Sequence, residues 1–182
     1  MTYYGAEELA RSFRTVRNNT ITIAEEIPED KYDFRPAEGS RSVAETLVHI
    51  AVMPRVQEQI HVVENCTSLA NFDFFGLMGK LEAELKVPRS KAEIIELLRS
   101  EGDKYAALLA GASDAFLGEQ VAYPEGMLPP TKSRFEMMIA PKEHEMHHRA
   151  QLMLIQRLLG GKTHLTRHME ERIASMRAAA GR

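Results

Sequence analysis

Three times along this chain a serine is followed three residues later by a glutamate at the head of an apolar run with helical spacing: Ser42–Glu45, Ser90–Glu93 and Ser133–Glu136. In such a capping box the serine oxygen accepts from the glutamate amide, and the glutamate carboxylate reaches back to the serine amide. Two of the donors that a helix leaves unpaired at its start are thereby satisfied together. Three helix origins are placed in this way, and the chain between them must be helix or connection.

A further helix precedes the boxes. Leu9, Phe13, Val16, Ile23 and Ile27 recur mostly at steps of three, four or seven, which lines one face of a helix over residues 6–27. Pro28 ends it, and residues 28–41 form an aperiodic linker. The second helix runs from Ser42 to about Asn65. Its apolar row of Val52, Met53, Val56, Ile60 and Val63 also holds His49, and Pro54 predicts a kink. Residues 71–85 read as a loop with a short helix over one end of the core, with Phe72–Phe75 as lid and core. The third helix covers roughly 91–115, and 116–132 is an ordered loop rather than a strand. The fourth helix runs from Ser133 to about Leu159, with a kink expected at Pro141, and Gly160-Gly161 stops it. A last amphipathic helix over 165–179 packs outside the bundle or against a second subunit. No stretch shows a convincing period of two. The expected fold is all-α: one domain over residues 1–182, a four-helix bundle with a long connection between its second and third helices and an extra C-terminal helix.

Composition narrows the function classes. Hydrophobic residues are 44% and charged residues 27%, with a net charge of −3, and lysines and arginines are scattered, so a nucleic-acid surface is not expected. The single cysteine, Cys66, excludes an internal disulfide, fits a reducing compartment, and reads as a core or near-core residue. Glu7 and Glu8 interrupt the N-terminus before any apolar signal region, and no apolar run approaches the ~20 residues that span a bilayer. A cytoplasmic protein without membrane segments is expected.

Three of the seven histidines, His144, His147 and His148, fall within five residues of the fourth helix. His144 and His148 are four apart, which puts both on one face with Cβ atoms roughly 5–6 Å apart. They lie on a stripe with Met137, Pro141, Gln151, Ile155 and Leu158 that reads as core-facing. A pair of hydrogen-bonded core imidazoles and a metal pair are both compatible with that spacing. His49, on the apolar row of the second helix, offers a third ligand, and three histidines from two helices leave a coordination position open. His147 flanks the stripe and suits a supporting or surface role. Gln151, one turn beyond His148, suits a hydrogen bond to an imidazole or a bound water. His61 shares a polar side with Gln57, Glu58 and Glu64 and is expected at the surface, as are His164 and His168 near the start of the last helix. Glu45 is explained by its cap, and Glu145 and Arg149 flank the same turn and read as a salt-bridged or solvated pair rather than a catalytic one.

Three segments together resemble the DinB family of four-helix-bundle metalloproteins, related to the bacterial mycothiol- and bacillithiol-dependent S-transferases. They are Ile27-Pro28-Glu29-Asp30-Lys31-Tyr32-Asp33-Phe34-Arg35-Pro36, Ser42 to Ala51 with its histidine at His49, and His144-Glu145-Met146-His147-His148-Arg149-Ala150-Gln151. The resemblance implies that His49, His144 and His148 bind a divalent metal, zinc or nickel. It also implies up-down-down-up connectivity and a homodimer. Ala150 stands where the family commonly has glycine.

Two functional readings follow. One is a metal-dependent enzyme of the hydrolase or thiol S-transferase type, acting on a small molecule or a low-molecular-weight thiol. No protein nucleophile is evident in the sequence, and no catalytic residue is assigned. The other is a binding or stress-response module in which the metal only staples the bundle. A plain helical dimer without metal is the third possibility, opposed by the core position of the two histidines.

Overall fold

The computed structural model describes residues 4–181. In chain order its helices are α1 (Ala6–Glu26), α2 (Val43–Val52), α3 (Arg55–Glu58), α4 (Phe74–Leu85), α5 (Lys91–Ala110), α6 (Asp114–Gly118), α7 (Arg134–Leu158) and α8 (His164–Ala180). All three serine–glutamate boxes form: Ser42, Ser90 and Ser133 each accept from the amide three residues on, and each glutamate returns to its serine amide. Among the described residues no helix is long and apolar enough to cross a membrane.

The bundle consists of α1, the broken segment from α2 through α3, α5 and α7. Its helix directions follow from which ends meet. Lys91 at the start of α5 donates to the Glu25 and Ile27 carbonyls at the end of α1, while Phe13 stacks edge-on against Tyr105, so α1 and α5 are antiparallel. Gln156 near the end of α7 donates to Glu26, so α1 and α7 run together. Arg55 pairs with Glu101 and Lys104 with Glu58, which makes the second segment parallel to α5. The order is up-down-down-up, and each of α5 and α7 packs between α1 and the second segment.

The apolar interior has two clusters. Ile23, Ile27, Val43, Leu47, Ile50, Leu98 and Leu152 belong to the larger one; Leu9, Phe13, Tyr105, Leu109 and Met138 belong to the other. On α1 and α7 alike, one charged residue falls between the two levels: Arg17 and Glu145, whose side chains are 3% and 1% exposed. Arg17 Nε donates to both Glu145 carboxylate oxygens at 3.0 and 3.1 Å. Its Nη1 donates to the Leu98 carbonyl at 2.7 Å and its Nη2 to the Ile50 carbonyl at 3.2 Å. The Ile50 bond has a local cause. An α-helical carbonyl accepts from the amide four residues on, and four residues after Ile50 stands Pro54, which has no N–H. Arg17 supplies the missing donor from another helix. Gly102 makes room for it, since a Cβ there would lie 2.8 Å from Arg17 Cγ.

Several expectations are corrected. Glu145 pairs with Arg17, not Arg149, because it faces inward. The buried face of α7 runs through Pro141, Glu145, His148, Leu152 and Ile155, while Gln151 and Leu158 are exposed. The second helix breaks at Met53-Pro54 and ends in a π turn over Gln59–Val63. A π turn adds a residue to the helical repeat, and it leaves Val63 outside and His61 inside. His61 is 2% exposed; its Nδ1 accepts from Arg134 at 2.9 Å, and its ring Nε2 lies 3.0 Å from Gln57 Oε1. His164 is buried as well, against Asn19, because the first turn of α8 docks on α1. Phe74 and Phe75 are exposed rather than lid or core. The third helix stops at Ala110, and α6 follows a Ser113 cap. The 116–132 region carries a small antiparallel ladder, β1 (Gln120–Ala122) with β2 (Thr131–Ser133), whose three-residue strands are too short to show a period. α7 continues through Pro141 as one helix, and Cys66 is half-buried.

The Arg17 cluster makes a stability prediction. Arg17→Met strands a buried carboxylate and the Ile50 carbonyl together, and unfolding free energy should drop by about 3–5 kcal/mol. Adding Glu145→Met should recover a large part of the loss. Urea titration of the wild type, both single variants and the double variant gives the coupling; simple additivity would contradict the role described.

Candidate metal centre

His49 sits on α2, seven residues after the Ser42 cap, and is turned inward by the apolar repeat that buries Thr46, Leu47 and Ile50 around it. His144 and His148 sit on successive turns of α7. The structure brings the three together although 95 residues separate His49 from His144. His144 Nε2 lies 3.1 Å from His49 Nε2 and 3.1 Å from His148 Nε2, and ligand atoms of the three lie within 4.8 Å of one another. Among the described residues this is the group of histidines, cysteines or carboxylates arranged to hold a metal ion.

The remaining polar contacts fix tautomers. His148 Nδ1 is 2.8 Å from Gln151 Oε1. An amide oxygen only accepts, so the proton resides on Nδ1 and the Nε2 lone pair points to the other two rings. The amide nitrogen of Gln151 faces His147 Nε2 at 3.2 Å and donates to it. His147 is thus exposed and away from the three-ring centre, holding Gln151 in the orientation that orders His148. Burial, the Arg41 charge and the neighbouring imidazoles push His49 down to about 3. Burial, then His148, His147 and Arg41, push His144 down to about 4. Burial lowers His148 too, against the opposing hydrogen bond to Gln151. All three rings are therefore neutral near pH 7, the protonation state that metal ligation needs.

These residues fit a divalent ion on structural grounds. His144 Nε2 has two ring nitrogens at hydrogen-bond distance but carries one proton at most, so a proton cannot bridge both contacts, whereas a cation at their centre satisfies every lone pair. The 3.1 Å spacings are close to the ~3.3 Å between ligands of a tetrahedral ion with bonds of about 2.0–2.1 Å. Beside His148 opens a cleft of about 570 Å³, lined also by Ser40, Arg41, Thr46, Gln151 and Leu154. Neither Arg41 nor Thr46 stands out in the sequence. Arg41 precedes a cap serine, and only the folding of the linker over α7 shows what it faces. Cys66 lies outside this cleft, next to Glu64, and Glu45 is held by its cap and by Arg35.

The depressed imidazoles set a pH dependence for the metal-free protein. Below about pH 6.5 the unfolded chain takes up protons on His49 and His144 that the folded chain refuses until about pH 4 for His144 and about pH 3 for His49. Stability is therefore complete above that range and falls as pH drops through it. Urea midpoints should decrease from pH 7.5 to pH 5, and His49→Gln should shrink the decrease. A midpoint that rises on acidification would contradict the burial of neutral rings.

Comparison with known proteins agrees with this architecture. Residues 12–152 match the DinB superfamily. YjoA of Bacillus subtilis, an uncharacterised protein, is 24% identical over 155 residues, spanning 85% of this chain and 91% of YjoA. The crystal structure of YjoA, a DinB-like protein, superposes with a TM-score of 0.62, at 20% identity over 85% of this chain and 94% of the other. YfiT of the same organism, noted for an unusual four-helix bundle topology, gives 0.66 at 14% identity, covering 89% of this chain and 91% of YfiT. A DinB-family structure from Exiguobacterium sibiricum gives 0.60 at 23% identity, covering 88% and 94%. Matched from α1 into the last turns of α7 and built on the same bundle, the chain belongs to the DinB superfamily.

Proposed function

We propose that this protein binds a divalent metal ion through His49, His144 and His148 and uses the position left open toward the cleft for metal-dependent hydrolysis of a small substrate. The observation that carries the reading is the convergence of three neutral imidazole nitrogens from two helices, with no fourth protein ligand beside them among the described residues. Three ligands and an open position mark catalytic sites, whereas closed four-ligand shells mark structural ones. YfiT, which shares the fold, is described as a probable metal-dependent hydrolase, and that description supports the same class here. Zinc and nickel both accept imidazole nitrogen.

A bound ion supplies Lewis acidity, polarising a substrate oxygen and lowering the pKa of water or a thiol at the open position. The chain's own residues do the positioning. Gln151 holds the His148 ring by its Nδ1 proton and is itself held by His147. Arg17 ties Ile50, next to His49, to Glu145, next to His144, which fixes α2 against α7 one residue from the ligands. The cleft side chains include no thiol, and the two hydroxyls among them, Ser40 and Thr46, each donate to a backbone carbonyl. Reaction through a nucleophile that enters with the substrates is therefore favoured over a covalent protein intermediate, and a low-molecular-weight thiol is the second nucleophile that would suit the same site. The competing reading, an ion that only staples α2 to α7, has the same ligands but no turnover.

The purified protein should hold about one divalent ion per chain. His49→Ala and His148→Ala should weaken zinc affinity by more than the roughly 10–100-fold typical of lost outer contacts. Gln151→Ala should fall inside that range, and His147→Ala below it. Competitive chelator titration gives the order; equal affinity in all four variants would remove the site. Saturable ester or amide hydrolysis that vanishes with chelator and returns with metal separates the enzyme from the staple. Metal-dependent stability without turnover across hydrolytic and thiol-transfer substrates would favour the staple.

A further inference from the structure

The cleft beside His148 is lined by polar groups that are already committed, with one exception. Ser40 Oγ donates to the Ala37 carbonyl and accepts from the Ala37 amide. Thr46 Oγ1 donates to the Ser42 carbonyl. Both ends of the Gln151 amide are occupied by His148 and His147. Arg41 lines the same cleft, is exposed, and has no ion pair or hydrogen bond from its side chain among the described residues. Glu45, four residues on, is the carboxylate nearest to it in the cap, and that carboxylate is taken. Arg35 forks onto its two oxygens at 2.6 and 2.7 Å, and the Ser42 amide donates to one of them at 2.8 Å.

The loop that carries Arg41 is pinned rather than loose. Arg35 Nη1 donates to the Ser40 carbonyl at 2.6 Å, the Ser40 amide closes a turn onto Ala37, and Gly39 turns the chain at φ +73°, a conformation that other residues rarely adopt. Arg41 is thus presented from a fixed backbone between that turn and the Ser42 cap. The charge balance is one-sided. Three neutral imidazoles leave both charges of a divalent ion uncompensated, Arg41 adds a third, and the carboxylates of Glu45 and Glu145 are bound to Arg35 and Arg17.

We propose that Arg41 is a specificity residue of the cleft, and that the substrate is a small molecule carrying an oxyanion, a carboxylate or a phosphate, which the Arg41 guanidinium holds while another group of the same molecule occupies the metal's open position. A planar guanidinium matches either oxyanion with two parallel hydrogen bonds. The assignment rests on the metal-centre reading above.

The test uses the full chain loaded with cobalt(II), whose visible spectrum reports ligands entering the open position. Cobalt affinity is measured first. The probes are 3-mercaptopropionate and 3-mercapto-1-propanol, which differ in whether the distal group is an anion. In the wild type the anionic thiol should bind about tenfold or more tightly than the neutral one. In Arg41→Gln that preference should shrink to about twofold, with cobalt affinity and neutral-thiol binding unchanged; Arg41→Lys should fall between, keeping charge but not the fork. Competition by acetate and by inorganic phosphate, read on the same spectrum, tells which oxyanion the site prefers. No anion preference in the wild type, or the same preference in Arg41→Gln, would overturn the assignment while leaving the metal centre standing. A chain that takes up no cobalt would overturn both.

Discussion

Every helix of the bundle meets at the guanidinium of Arg17. It leaves α1, crosses the interior past Gly102, and donates to a carbonyl of α5, a carbonyl of α2 and the carboxylate of Glu145 on α7. A charge this deep survives only when paired and fully hydrogen-bonded, so the demand of one side chain sets the mutual heights of four helices. Pro54 is part of the same device. By withholding its amide it frees the Ile50 carbonyl for Arg17, and the helical break it causes sits one turn beyond His49. The cluster that orders the interior and the residues that form the centre are neighbours in sequence on both helices: Ile50 beside His49, Glu145 beside His144.

The centre follows from that arrangement. An isolated pair of histidines on α7 would be two hydrogen-bonding groups in search of partners. With α2 held at the matching level, His49 closes the set, and burial keeps all three rings neutral. The outer contacts run outward in order, from His148 to Gln151 to His147, so that an exposed histidine still acts on a buried one through an amide whose oxygen faces one ring and whose nitrogen faces the other. Membership of the DinB superfamily accounts for the bundle and its connectivity. Any chemistry resides in the side chains of the site, since fold alone does not assign a reaction.

What could be read from the residues was what is local. The three serine–glutamate boxes placed three helix starts because capping is decided within four residues, and the four-residue spacing of His144 and His148 is a property of one helix. Proline marked the break in the second helix for the same reason. The long-range features were hidden. Arg17 and Glu145 are 128 positions apart, and each looks like an ordinary helix-surface charge until both are seen to fall on inward rows. The π turn at Gln59–Val63 shifted the repeat that put His61 on a polar side, and nothing in the apolar pattern announces such a turn. His164 is buried by the docking of α8, a tertiary event. Arg41 owes its position to a loop whose path is set by Gly39 and Arg35, and a linker arginine carries no signature of what it will face.

In the proposed centre three imidazoles, and no other protein group, hold the ion. X-ray absorption at the metal edge of the zinc-loaded protein tests this directly. A low-coordinate shell at about 2.0–2.1 Å is expected, with the multiple-scattering pattern of three imidazoles and one further light atom from solvent. A shell containing sulfur, a fourth imidazole or a carboxylate, or six equivalent oxygens from an ion attached only at the surface, would contradict it.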